Sequence, residues 1–316
     1  MRNGVTKTAF AALGLVLLSL PQAEAATKVR VMYTAVSGYS ASYIAKDQGF
    51  FEKRGLDVEM ILAPQGGAII EGLTSGSAEI GTPTPTVFLQ AVDSGLDQVA
   101  IAATNAFPEK SKSGVLARTD ANIHSAQDLI GKKVGVPGIN GLLDVVFRKW
   151  LADKGIDTKK VNYVEASFPQ MSDMLRASIV DAVVAVDPFY SRIIDQKTGY
   201  LVDNYTSVLP DGTIASVYSA TGKWATANAD TVRAFQGALA EAAAFSKIEA
   251  NAPAVQESIA RYTKLPVAVV AALPIPNLVA QINPSDLDFW IKVMKERDML
   301  TGSPDKAKAV MAWSPK

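Results

Sequence analysis

Short runs of β-branched residues alternate with amphipathic stretches of helical period from residue 28 to residue 195, and this alternation restricts the possible folds more than any other feature of the chain. The runs predict strands at 28–34, 57–62, 99–103, 133–136, 161–165 and 182–186. The stretches between and after them predict helices at 41–53, 67–75, 85–94, 141–154, 169–178 and 188–195. Strands that alternate with helices build a mostly parallel, doubly wound sheet with helices on both faces. The predicted fold class is therefore α/β.

The C-terminal third departs from this alternation. After a predicted strand at 214–220, helical period dominates at 230–249, 253–262 and 284–299. A helical tail needs an existing sheet to cover, so we predict two α/β lobes. Residues 26–108 and 206–316 form the first lobe, and residues 109–205 form the second lobe as an insertion. The chain then passes twice between the lobes, and these two passages form a hinge.

The N-terminus has the pattern of a secretory signal peptide. Two basic residues precede an apolar run at 9–20, and Ala23 and Ala25 supply the small residues of a cleavage site. The run is shorter than the roughly 20 residues that a membrane-spanning helix needs. We predict that residues 1–25 are the signal peptide and that the mature chain is periplasmic. The sequence has no cysteine that could carry a lipid, so a lipoprotein is not expected.

Composition argues against several classes of function. The 31 Lys and Arg residues balance the 31 Asp and Glu residues, so no overall field attracts the chain to nucleic acid or to an anionic membrane. With 0 cysteines and 1 histidine, thiol catalysis is excluded and a zinc site is not supported. The histidine, His124, lies in a polar stretch and is interpreted as a solvated surface residue. We therefore predict no catalytic residue, no metal, no cofactor and no enzymatic activity.

The residues that follow the predicted strands form the candidate binding site. In open α/β sheets, ligands bind beyond the carboxyl ends of the strands, where loops lead into helix N-termini. Glycines, hydroxyls, amides and aromatic rings dominate these positions. In the first lobe they are Ser37, Gly38, Tyr39, Tyr43, Gly66, Gly67, Thr82, Thr84 and Asn105. In the second lobe they are Asn140, Gly141, Phe168, Asp187 and Phe189. We predict that they bind a small solute in a cleft between the lobes.

Each group also has a purely structural interpretation. Gly66 and Gly67 fit a tight turn from strand to helix. Thr84 fits the cap of a helix that starts at the next residue, and Asp187 fits a helix N-cap. The two tyrosines of the first strand exit would then pack on the lobe surface. The sequence leaves these alternatives open.

Three segments carry a resemblance to a known family. The stretch 43–88, with YIAKDQGFF and GSAEIGTPTP, resembles the opening of the sulfonate, nitrate and taurine type of periplasmic binding proteins, the pyrimidine-precursor synthesis-like family. DLIGKKVGVPG at 128–138 and DAVVAVDPF at 181–189 resemble the signatures of that family's second lobe. The position of Asp187 is often Glu in such proteins. The resemblance implies a type II periplasmic binding fold whose two lobes close around one solute.

The resemblance also implies function and partners. It implies a substrate-binding component that delivers its solute to the permease and ATPase of an ABC importer. A monomer is the expectation for a shuttle that must present either lobe. Phe168, Phe189 and three further aromatic residues at or near strand exits would suit a small organic anion with an aromatic or apolar body, a sulfonate or carboxylate rather than nitrate. Two alternatives are a periplasmic ligand sensor that signals to a receptor and, from the family's eukaryotic relatives, an enzyme of pyrimidine synthesis.

Overall fold

The computed structural model describes residue 1 and residues 26–64, 66–107 and 112–315. The predicted signal peptide therefore lies outside the described residues, apart from Met1, and so does the predicted lobe boundary at 108–109. Among the helices of the described ranges, none combines the length and the apolar character that crossing a membrane requires.

Strands and helices alternate as far as α6 and then give way to a largely helical tail. The strands are β1 (Thr27–Tyr33), β2 (Leu56–Leu62), β3 (Ile80–Gly81), β4 (Val99–Ala103), β5 (Asn105–Ala106), β6 (Ser113–Arg118), β7 (Lys133–Val136), β8 (Asn162–Glu165), β9 (Ala182–Val186), β10 (Gly199–Asp203), β11 (Val217–Ala220) and β12 (Asn277–Leu278). The helices are α1 (Ser40–Asp47), α2 (Gly66–Ser75), α3 (Pro85–Asp93), α4 (Leu142–Asp153), α5 (Met171–Arg176), α6 (Phe189–Asp195), α7 (Gly222–Ala227), α8 (Ala229–Ser246), α9 (Ala252–Thr263), α10 (Val267–Ala271), α11 (Asp288–Lys295) and α12 (Lys306–Ala309).

The strands form two five-stranded sheets and one short β5–β12 pair. The first sheet has the order β2-β1-β3-β11-β4, and the second has the order β10-β6-β9-β7-β8. In each sheet one strand runs against the others: β11 in the first and β6 in the second. Each of these is the first strand that the chain forms after it arrives from the other sheet. Parallel neighbours within one sheet are joined by a crossover, usually a helix, and a strand that is reached from the other sheet does not need one. The predicted fold class, a mostly parallel α/β architecture, is confirmed.

Helices cover both faces of the first sheet because successive residues of a strand point to opposite sides. Val31 of β1 packs in the cluster that contains Ile44 of α1. Its neighbour Met32 packs in a separate cluster with Ile69 of α2.

The predicted elements differ from the observed ones in specific places. The six strands predicted before residue 195 are confirmed to within one residue at each end, whereas β6, β10 and the two-residue strands β3, β5 and β12 were not predicted. The helix predicted at 41–53 ends at Asp47, because Gly49 adopts a left-handed φ of 71° and the chain resumes as a short 3-10 turn. The strand predicted at 214–220 begins only at Val217.

Two chain segments connect the sheets, and they pair with each other. The Phe107 amide donates to the Thr213 carbonyl at 2.9 Å, and the Ala215 amide donates to the Asn105 carbonyl at 2.8 Å. The Thr104 amide completes the set through the carbonyl of residue 216 at 3.1 Å. The connection is therefore a narrow antiparallel ribbon.

Helix α11 packs behind this ribbon. It contacts both α3, which flanks the first sheet, and α4, which flanks the second. Its Trp290 is 0% exposed, and the indole N–H donates to the Ile214 carbonyl in the ribbon at 3.0 Å. One continuous apolar cluster therefore reaches from Phe88 of α3 to Trp150 of α4.

Candidate ligand-binding cleft

A cavity of about 610 Å³ lies where strand ends of the two sheets face each other. The first sheet lines it with residues that follow β1 and β2: Ala35, Val36, Ser37 and Pro64. The second sheet lines it with residues at the ends of β8 and β9: Phe168, Pro169, Val186, Asp187, Pro188 and Phe189. This is the position expected for ligands in open α/β sheets, and the volume suits a small organic molecule.

The C-terminal tail supplies a third side of the cavity, which we call the tail wall. It consists of Gln256, Ile259, Thr263, Leu265, Val270, Leu273, Pro274 and Ile275, from α9, α10 and the loop after α10. Sequence reasoning placed the tail on the outside of a sheet and did not predict this contribution. A helical period gives no indication of which surface the apolar face will meet.

Two phenylalanine rings form a flat apolar surface on the side of the second sheet. Phe168 and Phe189 stack with their ring centroids 5.2 Å apart and their planes 8° apart. Both rings are half-buried and both line the cavity. Since the two residues follow different strands, only the packed sheet brings them together. A planar or branched apolar group can pack against such a surface.

Asp187 bonds to the first turn of α6 and also faces the cavity, although the N-cap residue of that helix is Pro188 and not Asp187 as one interpretation of the sequence had it. Its Oδ1 accepts hydrogen bonds from the Ser191 amide at 3.0 Å and the Ser191 hydroxyl at 2.7 Å, which ties it to the first turn of α6. It also lines the cavity, and Oδ2 lies 4.0 Å from Lys112 Nζ. Among the described residues that line the cavity, Asp187 is the only ionisable one.

The cavity lining contains four of the predicted site residues, namely Ser37, Phe168, Asp187 and Phe189. Gly38 lies next to Ser37 and contacts Asn105. The other ten predicted residues are outside the lining: Gly38, Tyr39, Tyr43, Gly66, Gly67, Thr82, Thr84, Asn105, Asn140 and Gly141. Their contact with a solute stays a prediction.

The two tyrosines pack inside the structure. Tyr43 is 0% exposed and stacks on Tyr262 at 4.6 Å, and its hydroxyl donates to the Val36 carbonyl at 3.0 Å. Burial holds the pKa of the Tyr43 phenol well above its usual value. Tyr39 is 4% exposed, and its hydroxyl accepts from Ser216 at 3.3 Å. Both residues are therefore buried below the loop that follows β1. The structural interpretation of the sequence had placed them on the lobe surface instead.

The first turns of α2 and α3 lie side by side. A Cβ placed on Gly66 would lie 3.8 Å from the side chain of Val87. Helix α3 starts at Pro85 as predicted, but the Thr84 side chain makes no capping bond and instead lies 3.1 Å from the Thr86 hydroxyl. Thr84 is therefore the N-cap residue, as its structural interpretation allowed, but the first-turn N–H groups of α3 receive no hydrogen bond from its side chain. Thr82 is 1% exposed.

The loop before α4 is held by a buried carboxylate. Asn140 has a left-handed φ of 61°, and its amide donates to Asp144 Oδ2 at 2.8 Å. The Gly141 amide closes the loop on the Gly138 carbonyl at 3.0 Å. Sequence reasoning named Asn140 and Gly141 but missed Asp144, which orients them.

Gly38 offers a direct test of the exit from β1. An alanine Cβ at this position would lie 2.7 Å from Asn105 Oδ1, closer than real Cβ contacts allow, so Asn105 would have to move. We expect Gly38→Ala to weaken solute binding at least about tenfold while the protein stays folded, a loss of about 1.4 kcal/mol. Calorimetric titration checks this. Gly138→Ala is the matched control because nothing lies within 4 Å of its Cβ. Equal affinities in both variants would contradict the placement of Gly38.

His124 lies in a different depression. It lines a pocket of about 390 Å³ together with Lys154 and Asp203, whose charged atoms are 3.2 Å apart. The His124 ring is exposed and lies 3.1 Å from the Asn122 side-chain oxygen. None of these residues lines the cleft cavity. Within the described ranges, no group of three or more His, Cys, Asp or Glu side chains is arranged to hold a metal ion.

Two mixed sheets joined by a narrow ribbon, with a cavity between their strand ends, make up the fold of the periplasmic binding proteins. The periplasmic aliphatic sulphonate binding protein SsuA from Escherichia coli matches at a TM-score of 0.74 and 20% identity, over 90% of this chain and 97% of that one. The alkanesulfonate-binding protein SsuA from Xanthomonas axonopodis pv. citri, bound to MOPS, matches at 0.73 and 21%, over 92% and 99%.

The chain belongs to the NMT1/THI5-like family, whose model matches residues 37–249. The nitrate/nitrite binding protein NrtA of Nostoc sp. is 26% identical over 55% of this chain, which spans 44% of the length of that relative. The desulfurization enzyme DSZB has the same fold at a TM-score of 0.65 and 13% identity, over 92% and 97% of the two chains. The fold alone therefore does not separate binding from catalysis.

Proposed function

We propose that this protein is the periplasmic substrate-binding component of an ABC importer that captures a small organic anion. One observation carries the proposal: a single cavity is lined by strand ends of both sheets, while the backbone connection between the sheets is a narrow ribbon. In this proposal residues 26–108 and 206–316 form one lobe, and residues 109–205 form the other.

Closure of the lobes provides the mechanism. A solute that touches Ser37 on one side and Phe168 or Phe189 on the other makes its full set of contacts only when the lobes are together. Binding therefore shifts the population toward the closed form by the difference in affinity between the two forms. The closed pair of lobe surfaces then docks on the permease, and its ATPase drives release and import.

The chemistry of the cleft supports an organic solute. Apolar side chains dominate the cavity, and an inorganic oxyanion such as nitrate would occupy a small part of its 610 Å³. For an acidic head, N–H groups would have to come from the helix starts at Gly66 and Pro85, which lie beyond the cavity lining, because the one ionisable side chain of the described lining, Asp187, is itself acidic. The relatives named for sulfonate and nitrate binding also support an anionic head.

We propose binding without covalent chemistry. The enzymatic alternative, a reaction on a cofactor-bound lysine with a histidine, needs both residues in the cleft. The described lining contains Asp187 as its one ionisable side chain, and His124 lines a separate pocket. The relatives that are named for binding support the same conclusion.

Ligand-dependent stabilisation tests the proposal. A solute at about a hundred times its Kd should add about 2.7 kcal/mol to the free energy of unfolding. Thermal unfolding of the mature protein is measured against nitrate, sulfate, taurine, and alkyl and aryl sulfonates and carboxylates. We expect one organic class to raise Tm. If no compound does, and native mass spectrometry of the freshly purified protein finds no bound solute, the proposal is wrong.

A further inference from the structure

We infer that the tail wall selects solutes with a bulky apolar body, at least the size of a benzene ring, and that this wall sets the size of body accepted. The inference rests on the proposed binding function and adds to it the class of solute and the residues that choose it. The strand ends on which the site was predicted do not include these residues.

The composition of the wall is the first argument. Six of its eight residues are apolar: Ile259, Leu265, Val270, Leu273, Pro274 and Ile275. The stacked Phe168 and Phe189 rings line the same cavity. A small hydrophilic anion would leave this surface in contact with water, whereas an apolar body would cover it. Each buried methylene then contributes roughly fourfold in affinity.

The attachment of the wall is the second argument. At one end Tyr262 of α9 stacks on Tyr43 at 4.6 Å, and its hydroxyl donates to Asp47 at 3.1 Å. At the other end β12 pairs with β5, where Leu278 lies opposite Asn105. The wall is thus fixed at one end to α1, which covers the first sheet, and at the other end to the connecting ribbon, and its Ile259 and Val270 pack in the apolar cluster of the first sheet. A preformed wall orders few side chains on binding, which favours affinity.

The attachment of the wall also determines which lobe carries it when the lobes close. Because the wall packs on the apolar cluster of the first sheet, it presents an apolar half-site there. Phe168 and Phe189, which follow strands of the second sheet, complete the enclosure when the lobes meet. The body of the solute is therefore held between the wall and the phenylalanine pair.

The wall contains its own controls. In α10, Val270 is 3% exposed and lines the cavity, whereas Val267 on the same helix is 47% exposed and is not part of the lining. Leu273, one turn after Val270, is half-buried and also lines the cavity. Removing the Leu273 side chain therefore costs the fold less than removing a fully buried one.

The experiment compares probes that share a head and differ in body. Calorimetric titrations of the mature protein use methanesulfonate, benzenesulfonate and 2-naphthalenesulfonate, and the matching set acetate, benzoate and 2-naphthoate. We expect at least tenfold tighter binding for an aryl member than for the methyl member of its series. Leu273→Ala and Val270→Ala should weaken aryl binding by about fivefold or more, and Val267→Ala should leave it unchanged. Urea denaturation of each variant without ligand verifies that it is folded.

The outcomes separate the inference from the proposed function. If methyl and aryl members bind equally, or if Leu273→Ala binds like Val267→Ala, the wall does not select the solute and the inference is wrong while the binding function stands. If no probe of either series binds and the purified protein carries no solute, the proposed function fails and the inference fails with it.

Discussion

Replacing Asp144 with alanine is expected to lower the free energy of unfolding by about 3–5 kcal/mol, because it removes one partner of a buried ion pair. Asp144 is 0% exposed, and its Oδ1 lies 2.6 Å from Arg148 Nε. The Arg148 guanidinium also lies 3.4 Å from the centre of the Tyr163 ring. Without the carboxylate, Arg148 would face Arg297 uncompensated. Burial and the charge of Arg148 already lower the pKa of Arg297.

The same substitution should also weaken ligand binding, since Asp144 Oδ2 fixes the amide of Asn140 in its left-handed conformation. Urea denaturation followed by circular dichroism measures the first effect, and calorimetric titration measures the second. Asp144→Asn keeps the shape of the side chain and removes the charge. Its free energy of unfolding and its affinity for the ligand should therefore lie between those of wild type and Asp144→Ala.

The chain supplies a matched control on the same helix. Lys149 and Asp153 form an ion pair with the same i,i+4 spacing, but the Asp153 side chain is 46% exposed. Asp153→Ala is expected to cost at most about 0.5 kcal/mol, as exposed helix pairs do. Equal losses at the two positions would show that burial does not set the energy of the Asp144 pair.

Trp290→Ala is expected to destabilise the protein by about 3–5 kcal/mol, the range for truncating a large buried aromatic side chain. The ring is 0% exposed within the cluster that joins the two sheets. Its indole N–H bond to Ile214 attaches α11 to the connecting ribbon. The variant therefore loses core packing and the support of the connecting ribbon together.

Chemical denaturation followed by far-UV circular dichroism tests this prediction without relying on tryptophan fluorescence. Trp290→Phe should cost less, because the aromatic ring is retained and mainly the hydrogen bond is lost. Trp313→Ala is the control, since Trp313 is partly buried and packs on the cluster of the first sheet alone. A cost for Trp290→Ala no larger than that for Trp313→Ala would mean that α11 is not a central support.

Two of the strands that sequence reasoning missed, β6 and β10, contain glycines that tertiary contacts require. In β6, a Cβ on Gly114 would lie 3.1 Å from the Tyr190 ring. In β10, a Cβ on Gly199 would lie 2.7 Å from the Ala117 carbonyl oxygen. Glycine is depleted inside strands, so a segment that contains it is less readily predicted as a strand. The glycines that permit these close contacts are therefore also the reason that β6 and β10 were not predicted. A related limit applies to Asp144: its partners Asn140 and Arg148 are each four residues away, but only the fold buries the carboxylate.

The sequence by itself determined the α/β class, six strands of the two sheets, and the family resemblance, because alternation and local motifs act over a few residues and need no partner. It also named Ser37, Phe168, Asp187 and Phe189, which line the cavity, since strand ends are recognisable locally. Only the tertiary structure decided that α9 and α10 form a wall of the cavity and that α11 supports both sheets. The physical reason is that burial of apolar surface is non-directional. The sequence of an amphipathic helix therefore predicts that its apolar face is buried, but not which surface buries it.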